Sequence, residues 1–186
     1  MPLTTYTAGE VLTAASLNAN LSFAATNPPS GLTLVKAQVV GSAVSSVAVT
    51  DAFSTTYDNY RIVYSGGVAS TGVDLGLTLG ATATNYYFGF GYIPYGGALA
   101  GVSINNGAGW LYAGGGNATL AFLNCDIYNP FLSDQSLITG NGANASNIGF
   151  IGGYLNNTTS YTAFTITPSS GTLTGGTIFV YGYLKA

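Results

Sequence analysis

Val73-Asp74-Leu75-Gly76-Leu77-Thr78-Leu79 alternates apolar with polar or small residues without a break. At a side-chain period of two, Val73, Leu75, Leu77 and Leu79 share one face and Asp74, Gly76 and Thr78 the other, the pattern of a strand with one wet side. Outward from this stretch, apolar and aromatic runs recur every ten residues or so, each closed by a Gly, Asn or Ser cluster. Strands are predicted over 32–40, 60–64, 73–79, 86–92, 109–112, 119–128, 148–155, 161–167 and 176–184, enough for two sheets. The last, Ile178-Phe-Val-Tyr-Gly-Tyr-Leu184, is apolar on both faces. A strand in a lone sandwich has no use for two apolar faces, so this one is expected at a subunit interface.

The fold class read from this spacing is all-β: a jelly-roll-like antiparallel β-sandwich preceded by a short N-terminal helical arm. The arm is residues 1–30. Thr7-Ala-Gly-Glu10 has the spacing of a capping box, and Val11 to Ala25 then lacks Gly and Pro. Leu17, Leu21 and Ala24 recur at helical spacing, with Ala14 nearby, and give a narrow apolar stripe that calls for a partner surface. Asn27-Pro-Pro-Ser-Gly31 stops the helix and hinges it to the sandwich domain, residues 31–186. The Gly-rich stretches 92–108 and 140–147 are expected as surface loops.

Composition narrows the chemistry. Charged residues make up 5% of the 186, where about 25% is usual, so the surface is neutral-polar. Disorder goes with low hydrophobicity and high charge, and the apolar fraction here is 47%. Lys36, Arg61 and Lys185 are the three cations against six carboxylates, too few for a basic patch, and no nucleic-acid partner is expected. No apolar run approaches the roughly 20 residues of a spanning helix, so no membrane partner is expected either. Met-Pro-Leu-Thr-Thr-Tyr6 lacks the pattern of a secretory signal, so the chain is expected to stay in a cytosol until it assembles.

The chain has no histidine and a single cysteine, Cys125, set in the apolar run Leu120-Ala-Phe-Leu-Asn-Cys125 and expected as a core residue. Glu10, Asp51, Asp58, Asp74, Asp126 and Asp134 are scattered, with no pair at a repeated spacing. No catalytic, cofactor-binding or metal-ligating residue is assigned, and no enzyme is expected; a two-carboxylate hydrolase site would need two of these acids to meet in space. Asp58 and Arg61 are placed to pair across the turn into a strand. Aromatic residues crowd Tyr86, Tyr87, Phe88, Phe90, Tyr92 and Tyr95 into ten positions. Such a cluster fills a core and a subunit seam or, read as a surface, makes Tyr86, Tyr87, Tyr92 and Tyr95 contacts for a partner or a sugar.

Three stretches carry a resemblance: Phe53-Ser-Thr-Thr-Tyr-Asp-Asn-Tyr-Arg-Ile62, Asp126-Ile-Tyr-Asn-Pro-Phe131, and the ending from Phe164 through Pro168, Gly171 and Ile178 to Tyr183. In order and spacing they resemble a domain of tailed-bacteriophage virion structural proteins. Gly9-Glu-Val-Leu-Thr-Ala-Ala-Ser-Leu-Asn18 is similar to the head of phage fibre and appendage proteins, with Ser16 where an acidic residue is commoner. The resemblance implies a virion component and a homotrimer. The arm joins the body through five residues with no shaft between them, which favours a capsid decoration (cement) protein on the capsid exterior, in contact with the major capsid protein. In that reading Leu12, Leu17, Leu21, Phe179, Tyr181 and Tyr183 are subunit or capsid contacts. The alternative is a short tail fibre or tail-tip receptor-binding protein, with the Tyr86–Tyr95 cluster and the loop Gly97–Gly107 against a host surface glycan.

Overall fold

A computed structural model describes residues 7–11, 13–26, 31–143 and 146–185. It divides the chain into two compact units, Met1–Gly31 and Leu32–Ala186. In the first, helix α1 spans Ala14–Thr26 and starts later than the sequence pattern suggested. The Thr7–Glu10 box does close: the Thr7 N–H donates to Glu10 Oε2 at 3.1 Å. It closes a separate turn, because Gly9 sits at φ 92°, a left-handed conformation that an α-helix cannot continue. Thr13 caps α1 instead, its Oγ1 accepting the Ser16 N–H at 3.2 Å. Leu17 is exposed; Leu12 and the side chain of Leu21 lie outside the described residues.

The second unit is built of β1 (Leu32–Val39), β2 (Val47–Val49), β3 (Asn59–Ala69), β4 (Val73–Leu79), β5 (Tyr86–Pro94), β6 (Ala100–Gly107), β7 (Trp110–Asn117), β8 (Leu120–Tyr128), β9 (Ser136–Ala143), β10 (Asn147–Leu155), β11 (Phe164–Pro168), β12 (Leu173–Thr174) and β13 (Thr177–Tyr183). Every ladder between them is antiparallel. Two four-stranded layers run in the orders β1-β13-β3-β8 and β2-β11-β4-β7. Within them β1 pairs β13, β2 pairs β11, β3 pairs β8 and β4 pairs β7. Pairing first with last, and so inward along the chain, describes one long antiparallel hairpin rolled into a two-layer jelly roll.

Two hairpins are added to this plan. The segment after β4 supplies β5 and β6, the segment after β8 supplies β9 and β10, and β10 pairs with both β9 and β5. The first layer therefore continues past β8 as β9-β10-β5-β6. Strand β8 joins everything: β3 lies along one edge, while the other edge pairs with β7 over Leu120–Leu123 and with β9 over Asn124–Tyr128. Two of the expected loops turn out to contain strands, since 92–108 holds β6 and 140–147 holds the end of β9. Both are Gly- and Asn-rich and take their strand geometry from the ladder, not from propensity.

The alternation of Val73–Leu79 holds as read, with the four aliphatic residues buried. They meet Phe164 and Ile166 of their own layer and Ile62, Tyr64, Leu123, Ile178 and Val180 of the facing one in a single core. Phe53 bridges the layers, packing on Tyr60 at 4.8 Å and Phe164 at 5.6 Å between ring centroids. Buried hydroxyls are satisfied: Tyr64 Oη donates to the Gly175 carbonyl at 2.9 Å and Tyr86 Oη accepts the Leu79 N–H at 2.8 Å. Cys125 is buried as expected, and that burial pushes its thiol pKa up. Leu123→Ala, which empties a core position on the strand the two layers share, is expected to cost about 2–5 kcal/mol, read as a lowered midpoint of urea unfolding. Leu111→Ala, on the exposed side of β7, is expected to stay within about 0.5 kcal/mol; equal losses would contradict the central place given to β8.

Candidate functional site

The extended first layer turns one face to the core and one outward. On the outward face, residues that pair across the ladders form transverse rows. One row reads Leu34, Tyr181, Arg61, Asp126, Thr139, Gly152, Gly89, Ser103 from β1 to β6. The row on one side of it reads Val63, Asn124, Asn141, Phe150, Gly91, Gly101. The row on the other side reads Tyr128, Leu137, Tyr154, Tyr87. The middle row becomes very small at Gly152 and Gly89, while Phe150 on one side and Tyr154 and Tyr87 on the other stay bulky. A trough of about 850 Å³ results, running from Arg61 and Asp126 to Gly101 and Ser103.

At one end of the trough Arg61 and Asp126 make a two-pronged ion pair, Nε to Oδ1 at 2.9 Å and Nη2 to Oδ2 at 2.7 Å. Tyr183 Oη donates to the same Oδ1 at 2.6 Å. Burial alone would raise the Asp126 carboxyl pKa; the hydrogen bonds from Arg61 and Tyr183 outweigh it and hold the group below the usual carboxylate range. Asp126 in turn raises the Arg61 pKa. Burial, then the bond to Asp126, pushes the Tyr183 phenol up to about 12. The expected Asp58–Arg61 pair does not form: Asp58 pairs with Lys185 at 2.6 Å and Arg61 with Asp126. Arg61 and Asp126 face each other across adjacent strands, whereas Asp58 precedes β3. The remaining cation, Lys36, lies 3.9 Å from Asp51.

Farther along, the groups are neutral. Asn124 and Asn141 stand opposite each other on β8 and β9, and among the described residues neither side-chain amide has a partner. Phe150 is 62% exposed, its ring lying over Gly91, where an added Cβ would come within 2.7 Å of it. Across the middle row the rings of Tyr87 and Tyr154 stack at 5.0 Å and 7°. Asp126 is the one carboxylate lining the trough. The paired acids of a two-carboxylate hydrolase do not meet there.

The sequence-selected residues divide. Phe179, Tyr181 and Tyr183 lie on the outward face of β13, half-buried. Tyr86 does not reach the surface: it is buried, edge-on to Trp110 at 5.1 Å, and is no receptor contact. Strand alternation is the reason, since it sends Tyr86, Phe88, Phe90 and Tyr92 to the core side and Tyr87 outward. Tyr92 stacks on Phe90 at 5.5 Å, and Tyr95 is exposed beyond the strand end. The four tyrosines therefore share no surface. Asn124, Asn141, Phe150, Gly152 and Gly89 went unselected because their meeting depends on ladders that join distant segments.

The Arg61–Asp126–Tyr183 network ties together the neighbouring strands β3, β8 and β13. A carboxylate with a lowered folded pKa contributes stability above its unfolded value of about 3.9, which is lost as pH falls through that value and below it. A phenol with a raised pKa contributes stability below about pH 10, lost as pH rises from there towards 12. The melting temperature is therefore expected to hold from neutral pH down to about pH 4 and then fall, and to fall again in alkali between pH 10 and 12. Asp126→Asn should flatten the acid limb. Tyr183→Phe should shrink the alkaline limb without abolishing it, because burial also raises Tyr64 and Tyr86. Limbs unchanged in both variants would show that the network does not couple to folding.

No family model matches this chain, and neither a curated protein nor a solved structure does.

Proposed function

We propose that the chain is a non-enzymatic structural protein of a tailed-bacteriophage particle: a homotrimeric decoration protein, made in the host cytoplasm, that stabilises the capsid by bridging subunits of the major capsid protein. The observation that carries this reading is the outward face of β1 and β13. Among the described residues, strand β1 is an edge strand, paired on one side to β13 and exposed along most of its length. Leu32 and Leu34 stand opposite Tyr183 and Tyr181, and Ala37 opposite Phe179. With Leu34 53% and Val39 69% exposed, the face is a continuous apolar strip beside an open row of backbone donors and acceptors.

Long, apolar, uncovered edges are association sites unless something blunts them. The charge on this strand that could do so, Lys36, is turned towards Asp51. A body with 5% charged residues has few ion pairs to offer a neighbour, so contact through this strip rests on apolar burial and strand edges. The helical arm, with Leu17 exposed, supplies a second contact. The resemblance to virion structural proteins agrees with such a role. The tail-fibre reading drew on Tyr86–Tyr95 as one recognition surface, and the division of that cluster between core and exterior favours decoration over it.

Light scattering on the purified chain is expected to give a mass three times 18.9 kDa. Leu34→Asp, which sets an unpaired carboxylate in the strip, should weaken association by about a hundredfold. In the purified particle the chain should be stoichiometric with the major shell protein. A stable monomer, or a particle holding a few copies, overturns the proposal.

A further inference from the structure

We infer that the trough on the outward face binds a neutral oligosaccharide. Glycine inside a strand weakens it by roughly 0.5–1 kcal/mol relative to alanine and marks a place where something else approaches closely. For many glycines of this sheet that something is the chain itself. A Cβ at Gly153 or Gly149 would run into the backbone of β5, and one at Gly140 would meet Cys125 and Asn124 of β8. Gly152 and Gly89 are different. They are paired across β10 and β5, neither has a positive φ, and an added Cβ at either meets nothing within 4 Å. The fold itself gives no reason for two opposed glycines here; an occupant of the trough does.

The groups around that floor select the chemistry of the occupant. Asn124 and Asn141 each present donors and an acceptor on one planar amide, with no partner among the described residues, which suits hydroxyl groups that donate and accept at once. Phe150 sets an exposed ring on one side of the glycine row, and such a ring holds the apolar face of a sugar while its hydroxyls reach the amides; the Tyr87–Tyr154 pair, stacked on itself, walls the other side. Thr139 and Ser103 add hydroxyls along the same row. The Arg61 charge is spent on Asp126, so an anionic ligand finds no free cation. A volume of about 850 Å³ falls within the usual 300–1,000 Å³ of small-ligand sites and exceeds what one sugar ring fills. An extended peptide would seek an open strand edge, whereas this trough is a face whose backbone is already paired.

The test is saturation-transfer NMR and titration calorimetry of the full chain with maltotetraose, cellotetraose, chitotetraose and mannotetraose, with tetragalacturonate as the acidic control. Binding of at least one neutral tetrasaccharide is expected. Asn141→Ala should weaken it by about tenfold or more, and Phe150→Ala likewise. Gly152→Val fills the floor and should abolish binding while leaving the melting temperature equal or higher, because valine suits a strand and the space is open. Leu34→Asp, on the proposed association strip, should bind the sugar as the parent does, which separates this inference from the trimer. Failure to bind any of the four neutral sugars, preference for the acidic one, or binding that survives both Gly152→Val and Asn141→Ala would overturn it.

Discussion

Both edges of β8 are committed to strands of three different origins, and the rest of the body depends on that commitment. Along one edge it holds β3, fixing the first layer. Along the other it gives Leu120–Leu123 to β7 and Asn124–Tyr128 to β9, so the sheet forks. The fork requires close backbone approach, and Gly114 and Gly116 provide it: a Cβ on either would meet Leu120–Leu123. Side chains at these positions would push β7 away and separate the second layer from the first. The β7 half of the fork closes the jelly roll; the β9 half carries the hairpins that create the trough. One strand thus serves both the core and the surface proposed to bind.

The shortage of charge shapes what the surface can do. All three cations of the chain are matched to a carboxylate, two of them at 2.7 Å or less. The Arg61–Asp126 pair is partly buried and carries a third bond from Tyr183, a geometry in which ion pairs hold position better than exposed pairs do. What faces outward elsewhere is mostly amide, hydroxyl, aromatic ring and aliphatic side chain, with Glu10, Asp74 and Asp134 the carboxylates outside these pairs. Contacts made by such a surface would rest on apolar burial and neutral hydrogen bonds, with little dependence on salt.

Much of the fold was legible in the sequence. Val73–Leu79 gave its strand to the residue, and the runs around Leu32, Tyr60, Leu120, Ile148 and Ile178 each became strands with shifts of a residue or a few at the ends. These segments carry β-branched, aromatic or alternating apolar residues, so local preference and tertiary demand agree. The sequence failed where they part. Ala100–Gly107, with its Asn105-Asn106-Gly107, reads as loop and is β6, because the free edge of β5 imposes extended geometry on it. The Thr7–Glu10 box was found but misassigned, since Gly9 at positive φ separates it from the helix that Thr13 caps. The trough was illegible for a stronger reason: Arg61 and Asp126 are 65 residues apart, and Gly152 and Gly89 become partners only once the two inserted hairpins meet.

That meeting bears on whether the trough is rigid enough to select a ligand. Hairpins added to the edge of a sheet could behave as a flap, with a floor that shifts as the edge opens. Here they share the core of the body. Tyr86, Phe88, Phe90, Ile138, Ile151 and Leu155 are buried in the same cluster as Leu77, Trp110 and Leu123. Aromatic pairs tie β5 to β7: Tyr86 on Trp110, Phe88 on Tyr112 at 6.1 Å, and Phe90 on Tyr112 at 4.9 Å and 6°. Because the inward side chains of β5 and β10 are anchored in this way, the outward positions between them, Gly89 and Gly152 among them, are held at fixed spacing. Opening the floor would mean extracting those rings from the core, so the trough shares the cooperative stability of the jelly roll. A ligand entering it would have little ordering cost to offset, which lets a modest set of neutral contacts produce measurable affinity.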